Sequence, residues 1–269
     1  MRPLLVSLFV LALVTAWALV APPPWAAAQD VNDIIARSIR AFYYAGSDMK
    51  AKVAMRLLTA DGQERTRKLT MLRRDVEEGG DQEYFLYFNE PADVRGTAFL
   101  VWKYPTKDDD RWLYLPALDL VRRVAAKDAR SSFVGSDFTY EDISGRDVNQ
   151  DTHTLFGVVA LDGKQCYKTK SAPKTAAEYA SKISWISTQS FLPLREEYYT
   201  AAGEKYKVFT ADQVEKVGDY WTITKRTMRN LRTGHRTEVI FTGTAYDLGI
   251  PDSVFTERSL RNPPQQWIG

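Results

Sequence analysis

One cysteine, Cys166, and two histidines, His153 and His235, stand in a chain of 269 residues. A lone cysteine forms no internal disulfide, so the fold is not stapled by one. Cys166 falls in the strand-like run Lys164–Lys170 without an activating neighbour and reads as a buried structural residue. The two histidines lie far apart in sequence and without H-x-x-x-H spacing, which removes the usual zinc patterns, and no metal is expected. A G-x-S-x-G elbow is missing, since Gly135-Ser136 lacks the second glycine. Phosphate-binding glycine loops and dinucleotide fingerprints are missing too. Asp108-Asp109-Asp110 lacks the alternate acids, central glycine and distal glutamate of a calcium loop and reads as a solvated turn. Glu141-Asp142 and Glu196-Glu197 are paired only along the chain, and strand neighbours point to opposite faces. Without a catalytic set the chain is expected to be no enzyme and to need no cofactor. Net charge is equally scarce. The formal value is +2, too balanced for nucleic acid or an anionic surface to be the main partner.

A single long apolar run is present, and it lies at the start. Arg2, the run Leu4–Val20 and the small residues Ala26-Ala27-Ala28 read as a cleavable secretory signal peptide over 1–28. A mature chain of 29–269 in the periplasm is expected, as one domain, for there is no interdomain linker and no repeat. With 45% hydrophobic and 26% charged residues, the composition is that of a globular protein.

After the leader, Asp30–Ala45 reads as a helix. Asp30 is its N-cap, and Val31, Ile34, Ile35, Ile39 and Phe42 form one apolar face. Strands and tight turns follow. Asp48–Thr59 and Gln63–Arg74 flank Asp61-Gly62; Glu83–Asn89, Thr97–Tyr104, Arg111–Leu115 and Leu120–Val124 come next. His153–Leu161 and Lys164–Lys170 flank Asp162-Gly163. Lys182–Thr188, Leu194–Thr200, Glu204–Val217, Tyr220–Leu231 and His235–Ala245 continue the series. With no helix–strand alternation this is an antiparallel meander. Ser171–Tyr179 reads as a loop, Pro251–Phe255 as a short helix and Arg261–Gly269 as a tail.

The strands from Glu83 to Leu115 are apolar on both faces, whereas later strands alternate more cleanly. A core with helices packed on it would produce this, and so would a face lining an apolar cavity. The aromatic content, 7 Trp, 14 Tyr and 12 Phe, suits the walls of a pocket for an amphiphile as well as it suits a β-core. Phe85, Leu100, Trp102, Trp112 and Tyr114, with Phe133 and Phe138 from the Ser131–Tyr140 segment, are the candidate lining residues, although periodicity does not choose the face. Arg122, Arg123, Lys127 and Arg130 form a basic cluster that could meet anionic headgroups or an acidic partner, or simply be solvated.

The strings GTAFLVWKYP, DDDRWLYLPALDLVRRV and SFVGSDFTYEDI carry a resemblance. They are similar to bacterial outer-membrane lipoprotein-sorting proteins of the LolA-like superfamily, most densely from Asn89 to Gly145. The resemblance implies a mainly β (α+β) fold: a long curved antiparallel sheet forming an incomplete barrel. The N-terminal helix and short helices or loops, including Ser131–Tyr140, would be its lid. It implies a periplasmic carrier, expected to be monomeric, that binds a lipid or a lipoprotein acyl chain. Its implied partners are an inner-membrane transporter and an outer-membrane acceptor. The alternative is a non-enzymatic binding or sensing module coupled to an envelope transporter or stress-signalling protein, as in RseB-type regulators.

Overall fold

The computed structural model describes residues 30–175 and 179–269; the leader lies outside them. Helix α1 (Val31–Tyr43) comes first, with the Asp30 carboxylate accepting from the Asn32 N–H at 3.0 Å and Asp33 in its first turn. Six strands follow: β1 (Asp48–Leu58), β2 (Glu64–Asp75), β3 (Gln82–Glu90), β4 (Ala98–Lys103), β5 (Asp110–Leu115) and β6 (Leu120–Arg123). A connector over 124–150 contains the one-turn helix α2 (Glu141–Ser144). Seven more strands complete the sheet: β7 (Asp151–Leu161), β8 (Lys164–Pro173), β9 (Ser181–Ser187), β10 (Pro193–Tyr199), β11 (Lys205–Val217), β12 (Tyr220–Asn230) and β13 (Arg236–Tyr246). Two short helices, α3 (Glu257–Arg261) and α4 (Gln265–Ile268), end the chain.

All thirteen strands form one antiparallel sheet in the order β6-β5-β4-β3-β2-β1-β13-β12-β11-β10-β9-β8-β7. The two halves join where β1 pairs β13, for example Val53 with Phe241 and Met55 with Val239. β6 and β7 are the free edges, so the barrel is incomplete. The turns that make this possible are local. At the β7–β8 hairpin both Asp162 (φ 47) and Gly163 (φ 80) take positive φ, the geometry that matches the twist of a two-residue hairpin.

The doubly apolar strands are explained by cover on both sides. Leu69, Met71, Tyr84, Leu86, Phe88, Phe99, Val101 and Leu113 face inward. The connector fills the space over them: the rings of Phe133 and Tyr140 lie 5.4 and 5.2 Å from Phe99. Asp137 pins the connector to β13, its carboxylate accepting from the Thr237 hydroxyl at 2.8 Å and facing His235 Nδ1 at 2.7 Å. On the opposite face, Leu72, Phe85, Ala98, Leu100 and Trp112 pack under Ile250, Val254, Phe255, Leu260 and Ile268 from the C-terminal segment. Buried Asp48 steers that segment outward by accepting from the N–H groups of Leu248 and Ile250 at 2.8 and 2.9 Å. The Trp102 indole donates to the Phe255 carbonyl at 2.8 Å, and Lys52 holds the last two carbonyls.

Two expectations change. Arg261–Gly269 is no loose tail; it carries α4, and Ile268 is buried. Ser131–Tyr140 covers the inner face of the N-terminal strands, but it fills the space there instead of roofing a cavity. Phe133, Phe138 and Tyr140 are buried inside the sheet, because the chain must cross the concavity to pass from one free edge to the other.

Candidate functional site

The connector occupies the concavity over the N-terminal strands, and α1 lies over the C-terminal ones. Ile34 and Ile35 pack on Tyr167 of β8 and Ile186 of β9, and the Phe42 ring meets Phe209 of β11 edge-on at 6.1 Å. The C-terminal end of α1 is held by a buried cation. Arg73 of β2 donates to the carbonyls of Tyr43, Ala45 and Gly46 at 2.6, 2.6 and 2.7 Å, where the helix dipole favours positive charge. Arg73 also pairs with Asp75 at 3.2 Å, yet burial still holds the Asp75 carboxyl above its ordinary range. Gly145 (φ 77) lets the connector pass against α1, for a Cβ there would stand 2.6 Å from the Tyr43 ring.

Two hollows flank α1. The first, about 100 Å³, lies between α1, the end of the connector and strands β7 to β12. Its walls include Ile35, Ile39, Phe42, Phe138, Tyr198 and Phe209, with a charged rim around Glu141, Arg146, Asp151 and Lys182. The second, about 60 Å³, lies toward β1, β2 and β13, between Met49, Met71, Tyr84, Leu192 and Phe241. Phe42, Tyr43 and Arg226 belong to both walls. Arg226 of β12 stacks among Phe42, Phe138 and Phe241, its guanidinium carbon 5.4, 5.2 and 4.9 Å from the ring centres. Burial pushes its guanidinium down from the usual range, although the group stays charged at any physiological pH.

The expected site residues divide between the two faces. Phe85, Leu100, Trp102, Trp112 and Tyr114 lie on the outer face, in the cluster capped by the C-terminal segment, and line neither hollow. Phe133 and Phe138 lie inside, and Phe138 lines the first hollow. The inward phase of β3, β4 and β5 is the other one, that of Tyr84, Phe99, Val101 and Leu113. In the basic cluster, Arg123 pairs with Asp110, Arg130 pairs with Glu141 at 3.5 Å, and Arg122 reaches the Tyr140 phenol. Lys127 is exposed in a short turn. Four free cations do not gather in one place.

Sequence reasoning missed Arg73 and Arg226. Each shares a strand face with apolar residues, Arg73 with Leu69 and Met71, Arg226 with Met228. A charge in phase with a buried face was the available signal.

An open antiparallel sheet wrapped around an N-terminal helix, with hollows between the two, is the LolA-like open-barrel fold. The chain belongs to the DUF1329 family. A family model described only as an uncharacterized protein matches residues 80–262. The crystal structure of a DUF1329 family protein from Desulfovibrio piger is 30% identical, with a TM-score of 0.79 over 85% of this chain and 97% of its own. A putative outer membrane lipoprotein-sorting protein domain from Vibrio parahaemolyticus is 28% identical, also at 0.79, over 86% of this chain and 97% of its own. A LolA superfamily protein from Nitrosomonas europaea shares the fold at 18% identity and a TM-score of 0.66, over 85% of this chain and 98% of its own. No curated protein sequence matches the chain.

Proposed function

We propose that this protein is a periplasmic carrier, exported by the leader Met1–Ala28, that shields a lipid or a lipoprotein acyl chain between α1 and the sheet. The mechanism is hydrophobic transfer with no covalent step. The observation that carries the reading is the position of α1. Its apolar face fills the concavity while hollows with aromatic walls remain on either side of it. The relative from Vibrio parahaemolyticus, described as a putative outer membrane lipoprotein-sorting protein domain, supports the same direction.

Size decides how such a site would work. Pockets for drug-sized ligands measure roughly 300–1,000 Å³; the two hollows beside α1 are about 100 and 60 Å³, and the roomier one of about 610 Å³ has charged walls, among them Lys103, Asp108, Arg130 and Arg146, unsuited to an acyl chain. An acyl chain therefore enters by displacing α1. Uncovering Ile34, Ile35 and Phe42 costs about 1.5–3 kcal/mol each, and each methylene buried returns about 0.8 kcal/mol. Break-even falls near six to eleven methylenes, so long chains bind and short ones do not. The inner-membrane donor and outer-membrane acceptor belong to the same proposal.

The test is native mass spectrometry with lipid extraction on the purified mature protein, followed by titration with a fluorescent acyl-chain probe. Co-purifying lipid, or probe uptake that rises steeply with chain length, is expected. A folded protein that takes up no amphiphile of any length overturns the carrier reading and favours a module that binds proteins.

A further inference from the structure

Arg226 stands apart from the other charged groups on the hollow walls. Arg146 is engaged by Glu141 at 3.0 Å and Asp151 at 2.8 Å, and Lys182 by Glu196 at 2.7 Å. Arg73 is engaged by Asp75 and the α1 carbonyls. Asp142 lies near Lys207 at 3.6 Å and accepts from the Thr139 N–H, while Asp147 accepts from the Asn149 N–H. Asp142 acts on Arg226 through space only. Among the described residues no carboxylate and no hydrogen-bond acceptor touches Arg226, and its Nε is sealed from water without a partner.

What surrounds it instead is three phenyl rings from three elements: α1, the connector and β13. Such a cage favours the cation but accepts few of its five N–H donors. Its sealed, unpartnered Nε–H is costly, and a planar guanidinium matches the paired oxygens of a carboxylate or phosphate. The place is also suitable. Arg226 sits where the two hollows meet, and Phe209, Met228 and Ile223 beside it offer an apolar continuation.

We propose that the amphiphile carried is anionic and that Arg226 receives the oxyanion of its headgroup where the two hollows meet. This rests on the carrier reading above and names the chemical class it leaves open: an acyl chain ending in a carboxylate or a phosphate ester. Phe42 belongs to α1, so an anion drawing Arg226 toward itself loosens one of the contacts that keep α1 in place. Recognition of the head thereby assists admission of the tail.

The experiment displaces a neutral fluorescent acyl probe with palmitate, palmitoyl lysophosphatidate and hexadecanol, at one pH, from the wild type, Arg226→Met and Arg226→Lys. The wild type is expected to hold at least one of the two anions about tenfold or more tighter than the alcohol, a gap of about 1.4 kcal/mol. Arg226→Met should abolish the preference, so that anions and alcohol bind that variant alike, and Arg226→Lys should keep part of it. The better of the two anions tells a free fatty acid from a phospholipid source. Equal binding of anions and alcohol by the wild type overturns this proposal and leaves the carrier reading standing. Binding of none of them overturns both. A preference that survives Arg226→Met places the anion elsewhere and overturns the assignment. Should Arg226→Met fail to fold, the wild-type comparison and Arg226→Lys still decide.

Discussion

Replacing Arg73 by methionine asks what keeps α1 inside the sheet. The substitution keeps an unbranched apolar side chain of moderate length and removes the guanidinium that bonds the carbonyls of Tyr43, Ala45 and Gly46. Hydrogen bonds to a charged group contribute about 1.5–3 kcal/mol each, but adding three of them overshoots, because desolvating a buried guanidinium costs several kcal/mol. Breaking a buried pair from one side costs about 3–5 kcal/mol, and that is the expected loss here. Gln82, which donates to the Tyr43 carbonyl at 2.9 Å and to Asp75 at 2.7 Å, remains as a neutral partner and sets the lower end of the range. Asp75, already held toward its neutral form by burial, should become harder to ionise. Urea denaturation measures the total. Amide exchange shows where it falls, and α1 should lose more protection than β1 or β13. Probe uptake supplies the functional arm: with α1 loosened, the variant should load an acyl probe faster than the wild type despite being less stable. A loss below about 1 kcal/mol would mean that the apolar face alone holds the helix. Faster exchange in α1 without faster loading would refute the idea that α1 blocks the hollow.

Further outcomes follow from other sites. Lys103 is buried, donates to the Ser144 carbonyl and lies near the Tyr43 and Tyr44 rings; burial lowers its pKa to about 8. The folded state therefore releases this proton before the unfolded state does, so its destabilising contribution, present below pH 8, fades as pH rises toward the ordinary lysine value of about 10.4. Subtracting the stability curve of Lys103→Met from that of the wild type should leave a rise across this window, on the order of 3 kcal/mol at most, and a flat difference would contradict it. Trp112→Ala opens the outer cluster and should cost about 3–5 kcal/mol by chemical denaturation, with acyl-probe affinity unchanged in the protein that stays folded; a selective binding defect would return Trp112 to the ligand site. Cys166 is fully buried and burial raises its thiol pKa, so thiol reagents should label it only after unfolding. Cys166→Ser should cost about 1–2 kcal/mol and leave uptake intact, whereas lost uptake at an unchanged melting temperature would indicate thiol chemistry.

Much of this fold was legible because its signals are local. Each strand is bounded by a turn whose residues state their conformation, as Asp162-Gly163 does, and α1 announces itself by its cap and its apolar face. What was not legible depends on distant partners. The strands around Phe85 and Trp112 are apolar on both faces, and two covers could produce the same pattern. The outer cover is the C-terminal segment, whose buried Leu260 and Ile268 are too few and too close to prolines to show a period. Ser131–Tyr140 has the composition of an exposed loop, yet its aromatics insert among Phe88 and Phe99 because the path from β6 to β7 runs through the interior. The aromatic cage of Arg226 was not legible for a related reason: it is contributed by α1, the connector and β13, none adjacent in sequence.

The seam between β1 and β13 also sets the order in which the molecule can be made. Hairpins such as β1–β2, β7–β8 and β11–β12 close over short stretches of chain and can form early. Met49 and Tyr246, by contrast, meet across nearly the whole described chain, so their pairing carries the largest loop-closure penalty and belongs late in folding. The outer face of β2 to β5 stays bare longer still, since Phe255, Leu260 and Ile268 follow every strand of the sheet along the chain. Until they dock, Leu72, Phe85, Leu100 and Trp112 form an exposed apolar patch beside the unpaired edge of β1. Docking of the segment from Ile250 to Ile268 therefore removes a patch that would favour aggregation while it stays bare.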